Sequence, residues 1–215
     1  MIKTVFFDLD GTLTDPVMGI TNSVWYAIRH FGIDVKDRSE LYKFIGPPLV
    51  EAFMESFQMS HDEAFECLHY YREYFEEFGL YENEKYEGIE NTLKALQDSG
   101  RTLVVATSKP EPFAVKILEH FDLAKYFTFI CGAGLDETRT KKWEVIEYAL
   151  EKLGHPDLSE CIMVGDRLHD IEGAHKMGMK AVGVLYGYGN QKEFDEAGAD
   201  YVVAHHEDLV ELLTR

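Results

Sequence analysis

Positive charge is what this sequence most lacks. Only 21 Lys and Arg stand against 39 Asp and Glu, a net charge of −18. A binder of nucleic acid polymers or anionic membranes needs a basic face, so the balance argues against both. Any anionic substrate must then be drawn in locally, by a metal ion, a lysine or backbone N–H groups. Cysteine is also scarce. Cys67, Cys131 and Cys161 show no CxxC or CxxH spacing, and Cys131 and Cys161, at the ends of apolar runs, read as small buried residues. A reduced, cytoplasmic setting is the expectation. No apolar run approaches the length of a membrane-spanning helix, and the first residues, with Asp8 arriving early, do not follow a signal-peptide pattern.

What is present is an alternation. The runs KTVFF (3–7), RTLVVAT (101–107), YFTFIC (126–131), CIMVG (161–165), KAVGVLY (180–186) and YVVA (201–204) are short and nearly all apolar. Parallel strands covered on both faces have this composition. Helical spacing separates them: Phe113, Ile117, Leu118 and Phe121; Val145, Ile146, Ala149, Leu150 and Leu153, with Gly154 to end that helix; Ile171, Ala174 and Met177 before Gly178. The pattern predicts an α/β fold with a doubly wound parallel sheet.

One interval breaks the alternation. Residues 16–83 carry helical patterns without a convincing strand, so an all-helical unit is expected there, inserted into a core of residues 1–15 and 84–215. Val17, Ile20, Val24, Ile28 and Phe31 form one apolar face, closed by Gly32. Ser60 with Glu63 forms a capping box, and Phe65, Leu68, Tyr71, Phe75 and Phe78 form a second stripe. Residues 51–90 hold 12 acidic against 2 basic side chains, which reads as a solvated face.

Open α/β sheets bind ligands at the carboxyl ends of their strands. Those ends are rich in polar residues here. The first strand runs into Asp8 and Asp10; the second into Thr107 and Ser108, with Lys109 just after; Lys141 and Lys142 open the helix beyond the third; the fourth ends in GDRLHD, giving Asp166 and Asp170. Clustered carboxylates with no His or Cys suit Mg2+ rather than zinc, and the calcium-loop template fails because Gly11 comes too early after Asp8. In such a site one aspartate can attack phosphorus. The Thr107 and Ser108 hydroxyls, N–H groups and a lysine can hold the transferring oxygens, and the second aspartate can move the protons. That division leaves Asp8 ionised and gives Asp10 the higher pKa.

DLDGTLTD, the VVATS strand end, the lysine before EVI and VGDRLHD together resemble the four motifs of the haloacid dehalogenase superfamily. The chain is most similar to its phosphoglycolate phosphatase-like members, which carry a helical cap between the first two motifs, and the resemblance spans essentially the whole chain. It implies a Rossmann-like core with a helical cap and Mg2+-dependent hydrolysis of a phosphomonoester through an aspartyl-phosphate. Asp8 would be the nucleophile and Asp10 the general acid/base. Asp8, the Asp10 carbonyl and Asp166 would hold Mg2+, supported by Asp170. Thr107 and Ser108 would bind the phosphoryl group with Lys142, Lys141 being the alternative lysine. The expected substrate is a small phosphorylated metabolite such as 2-phosphoglycolate or a nucleoside monophosphate, and the expected assembly a monomer or homodimer. A phosphomutase, a phosphotyrosine phosphatase and a non-catalytic Mg2+-binding phosphoacceptor module are the competing readings. Asp10 favours a phosphatase over a dehalogenase. FIGPPLVEAF lacks the arginine that mutase relatives place there, which favours hydrolysis.

Other features have plainer expectations. Lys109-Pro110 reads as a helix opening, His205-His206 as an exposed loop pair, His169 as packing or surface, and Gly187-Tyr188-Gly189 as a turn after a strand. Gly46-Pro47-Pro48 is either a helix-initiating turn or a substrate-reading loop, and the role of Arg167 stays open.

Overall fold

The computed structural model describes all residues, 1–215. The chain divides into two compact units, Met1–Asp15 with Lys85–Arg215, and Pro16–Glu84. The second boundary lies one residue beyond the expected 83/84.

The first unit is built on six strands: β1 (Thr4–Phe7), β2 (Thr102–Pro110), β3 (Phe129–Ala133), β4 (Cys161–Gly165), β5 (Lys180–Val184) and β6 (Tyr201–Val203). They form one sheet in the order β3-β2-β1-β4-β5-β6, parallel at every pairing. This order reverses direction between β1 and β4, the place where doubly wound sheets open a ligand crevice. Register aligns Phe6 with Val104 of β2 and Met163 of β4, and Met163 with Ala181 of β5. These side chains point to one face, where α6 (Lys142–Lys152), α7 (Leu168–Lys176) and α8 (Gln191–Ala197) contribute Val145, Ile146, Ile171, Ala174 and Phe194 to a common core. Val5, Phe7 and Val105 face the other way and are equally buried. α4 (Ile89–Asp98) and α5 (Glu111–His120) pack on β2, and α9 (Asp208–Thr214) packs on α4. Covering both faces is what allows uniformly apolar strands. α4, α8 and α9 go beyond the helices that the apolar spacing predicts.

The second unit contains α1 (Val17–Arg29), α2 (Leu49–Phe57) and α3 (His61–Tyr74). The capping box at Ser60 and Glu63 is formed in both directions. α2 opens at Pro48 as its N-cap, so Gly46-Pro47-Pro48 is a helix-initiating turn. The expected stripe through Phe65 and Phe78 is corrected: both are exposed, and Ala64, Cys67, Leu68, Tyr71 and Phe75 make the buried face. Phe65 lies one position off the buried face of regular α3, which runs through Ala64, Cys67, Leu68 and Tyr71, whereas Phe78 is turned outward by a single wide π turn over Phe75–Gly79, which changes the helical phase. No helix in the chain is long and apolar enough to cross a membrane.

Candidate active site

Strand register assembles the site. Phe7 lies level with Val105 and with Val164, and the Asp8 N–H donates to the Val164 carbonyl at 2.9 Å. Asp8 therefore leaves β1 at the level where β4 gives way to Asp166. Asp8, Asp166 and Asp170 are all buried, and one oxygen of each lies within 4.8 Å of the others. Asp170 stands in the first turn of α7, and its Oδ2 accepts from the Arg167 N–H at 3.0 Å. Gly11 turns the chain after Asp10 at φ +80°, where a Cβ would lie 2.0 Å from Asp166 Oδ2. A side chain at this position would be both strained and in collision with the carboxylate.

Two lysines face this acid cluster. Lys142, buried at the start of α6, sets its Nζ 2.7 Å from Asp8 Oδ1, 2.8 Å from Asp170 Oδ1 and 3.1 Å from the Ala106 carbonyl. Lys141 beside it is exposed, and its backbone N–H donates to Glu144. The geometry thus brings Lys142, and not Lys141, to the carboxylates. Lys109-Pro110 does open a helix, since Pro110 is the N-cap of α5, but Lys109 also faces the acid cluster, which the helix-opening pattern does not predict. β2 runs on to Pro110, and its register against β3 shifts between Ala106 and Pro110. Such an irregularity re-aims side chains. Thr107 and Lys109 fall on the same, buried side of the strand, Ser108 is half-buried, and Lys109 Nζ reaches Asp10 Oδ2 at 2.6 Å. Two-residue alternation from Thr107 is the sequence signal that could have placed Lys109 here.

The electrostatics follow from burial. Asp10 is held above the usual carboxylate range by burial, against the lowering effect of the Lys109 ammonium. Burial also pushes Asp166 well up, reinforced by the Asp170 and Asp8 charges and opposed by the Tyr188 N–H. Asp170 is raised by burial despite Lys142. For Lys142, burial favours the neutral amine, but the Asp170 and Asp8 charges outweigh it and hold the ammonium above its ordinary pKa. When ionised, the four buried aspartates at 8, 10, 166 and 170 carry four negative charges against two on Lys109 and Lys142. The excess of negative charge is of the sign that a divalent cation would offset. Asp166 Oδ1 is buried and has no hydrogen-bond partner, which buried carboxylate oxygens rarely tolerate without a ligand. All-oxygen donors, an excess of negative charge and this bare oxygen fit Mg2+.

The remaining polar residues fall outside the acid cluster. Arg167 pairs with Glu193 of α8 at 3.0 Å. His169 is half-buried, and burial lowers its pKa. His206 overturns the expected exposed loop pair: His205 is exposed, but His206 is buried, with Nδ1 2.8 Å from Thr92 Oγ1 and Nε2 2.9 Å from the Glu87 carbonyl. Tyr186 and Tyr188, after β5, are absent from the expected set. Tyr186 donates its hydroxyl to the Thr12 carbonyl at 2.9 Å, and Tyr188 donates its hydroxyl to Asp15.

Comparison with known proteins agrees with this geometry. Residues 5–184 match the haloacid dehalogenase-like hydrolase family. The 5′-nucleotidase of Pseudomonas aeruginosa is 47% identical over 189 residues, covering 88% of this chain and 85% of that protein. The tyrosine-protein kinase PtkA of Mycobacterium tuberculosis is 38% identical across 98% of this chain and 71% of its own length. The crystal structure of a predicted phosphatase from Clostridium acetobutylicum superposes with a TM-score of 0.96 at 46% identity, covering 99% of this chain and 98% of that one. A match over most of the sheet, and relatives aligned along nearly the whole chain, settle the matter: this protein belongs to the haloacid dehalogenase-like hydrolase family, with relatives named as phosphatases.

Proposed function

We propose that the enzyme hydrolyses a small phosphomonoester through an aspartyl-phosphate on Asp8, with nucleoside 5′-monophosphates as the substrate class to test first. The observation that carries the mechanism is the pairing of two aspartates in different surroundings. Asp8 lies in the acid cluster facing Lys142, while Asp10 turns to Lys109 and is held protonatable by burial. The 47% identity to a 5′-nucleotidase supports the substrate class.

Asp8, the Asp10 carbonyl and Asp166 would hold Mg2+, with Asp170 behind them. When bound, the ion would offset the negative charge of the phosphoryl group and of the nucleophile. The protein's own residues carry the steps. The Asp8 carboxylate forms a bond to phosphorus as the bond to the leaving oxygen breaks, and Asp10 gives that oxygen its proton. Water then attacks the phosphorus of the aspartyl-phosphate, Asp10 takes the water's proton, and the Asp8 carboxylate is regenerated with release of phosphate. Lys142 pairs with Asp8, and Thr107 is buried near the end of the strand that pairs with β1, so both are suited to hold the transferring oxygens.

A panel of nucleoside monophosphates, 2-phosphoglycolate, sugar phosphates and a phosphotyrosine peptide, scored by phosphate release with Mg2+, tests the substrate. The expected result is highest kcat/KM on a nucleoside 5′-monophosphate. Isomerisation of a sugar phosphate without free phosphate would overturn the hydrolase reading. Asp8→Asn is expected to abolish turnover with an unchanged circular dichroism spectrum, and retained turnover would overturn the nucleophile assignment.

A further inference from the structure

Asp166 is held by a segment that the chemistry above does not use. β5 ends at Val184, and the chain continues as Leu185-Tyr186-Gly187-Tyr188-Gly189 across the mouth of the sheet. The Tyr188 N–H donates to Asp166 Oδ2 at 2.8 Å. The other oxygen, Oδ1, is the buried atom without a hydrogen-bond partner. One oxygen of the carboxylate is therefore pinned and its twin left bare.

Space as well as hydrogen bonding fixes this arrangement. A Cβ on Gly187 would sit 2.3 Å from the Gly11 carbonyl oxygen, 2.4 Å from Asp166 Cβ and 2.6 Å from Asp166 Oδ2. On Gly189 it would sit 2.1 Å from the Asp166 carbonyl oxygen. Neither glycine has positive φ, so the requirement is for room and not for an unusual backbone. The segment is tied down at two points on the loop that follows β1: the Tyr186 hydroxyl donates to the Thr12 carbonyl at 2.9 Å, and the Tyr188 hydroxyl donates to Asp15. Tyr186 also packs edge-on against Tyr86 and His206, with ring centres 4.9 and 5.9 Å away.

We infer that residues 186–189 are a positioning strap for the metal site: two tyrosine tethers and two side-chain-free positions deliver one N–H to Asp166 Oδ2, so that Oδ1 alone faces the ion. Groups that orient a metal ligand typically change metal affinity about 10- to 100-fold when lost. The inference rests on Asp166 being a ligand, and the test separates the two claims.

Mn2+ serves as the probe, because the signal of the free ion in electron paramagnetic resonance gives bound and free metal directly on the full chain. Four proteins are titrated: wild type, Asp166→Asn, Gly187→Ala, and the double variant Tyr186→Phe with Tyr188→Phe. The double variant keeps every ring and removes only the two tethers, so it remains informative if Gly187→Ala does not fold. Circular dichroism checks each fold. The expected result is tight binding by wild type, loss in Asp166→Asn, and dissociation constants raised about tenfold or more in the strap variants. Turnover of the strap variants should recover at high Mg2+, as weakened metal binding is rescued by mass action and a general loss of structure is not. Wild-type affinity in a folded strap variant, with Asp166→Asn inactive in binding, would overturn the strap. Undiminished binding by Asp166→Asn would overturn the ligand assignment itself, and the strap with it.

Discussion

Replacing Lys142 by methionine tests the electrostatics of the site most directly. Methionine keeps most of the apolar stem, so the change is concentrated at the ammonium, which lies 2.7 Å from Asp8 and 2.8 Å from Asp170 with its side chain only 4% exposed. Removing one partner of a buried ion pair costs about 3–5 kcal/mol, because the other charge stays buried and uncompensated. In a chain of 215 residues each kcal/mol moves Tm by about 2–4 °C, so Lys142→Met should melt about 6–20 °C below wild type. The measurement is calorimetry at pH 7 in a chelator, so that no bound cation takes over the neutralisation. Lys141→Met is the control: an exposed side chain away from the cluster changes stability by no more than about 0.5 kcal/mol. Phosphate release at saturating Mg2+ should fall on the order of 10²-fold or more in Lys142→Met only. A Lys142→Met protein that melts within about 2 °C of wild type, or a Lys141→Met protein that matches its loss, would refute the reasoning.

Three further outcomes are expected. Lys109→Met should lower kcat on the order of 10²-fold, measured by phosphate release, because the buried Asp10 carboxylate loses its counter-charge. Asp200 accepts from the Ala181 N–H at 2.9 Å and lies 3.1 Å from the His175 ring. Burial acts to raise its pKa, but these partners hold it below the ordinary range. A depressed carboxyl contributes stability above its unfolded pKa of about 3.9 and loses it as pH falls through the folded value. Asp200→Asn should therefore cost about 1 kcal/mol at pH 7, with the difference from wild type closing below about pH 4 in thermal melts. In the helical unit, Ser60→Ala removes one half of the box that caps α3 and should cost about 1 kcal/mol in denaturant titration.

Much of this was legible in the sequence for a physical reason. Strands covered on both faces have no polar alternation, so TVFF and CIMVG stand out as runs, and the first polar residues after them mark the edge where the acid cluster assembles. The same logic brings Asp8, Asp10, Thr107, Asp166 and Asp170 onto the candidate list. Lys109 escaped it because the X-Pro step correctly marks the opening of α5, and that reading left no reason to ask which side of the last strand residues the ammonium takes. His206 escaped because its partners, Thr92 and Glu87, are more than a hundred residues distant in sequence and adjacent only after folding. Phe78 misled because a π turn leaves no trace in apolar spacing until the phase has already slipped. Gly187 and Gly189 read as a turn and in fact follow one at Leu185 and Tyr186, but a turn's sequence does not say which carboxylate lies across from it.

The shift of register in β2 also means that which basic group neighbours Asp10 is decided by counting residues. Deleting one position between Ala106 and Lys109 would swing the ammonium to the opposite side of the ribbon and leave Pro110 in its place, with the surrounding letters almost intact. Chains that align well with this one yet differ by a single gap at that strand end should therefore present a different neighbour to the carboxyl that corresponds to Asp10.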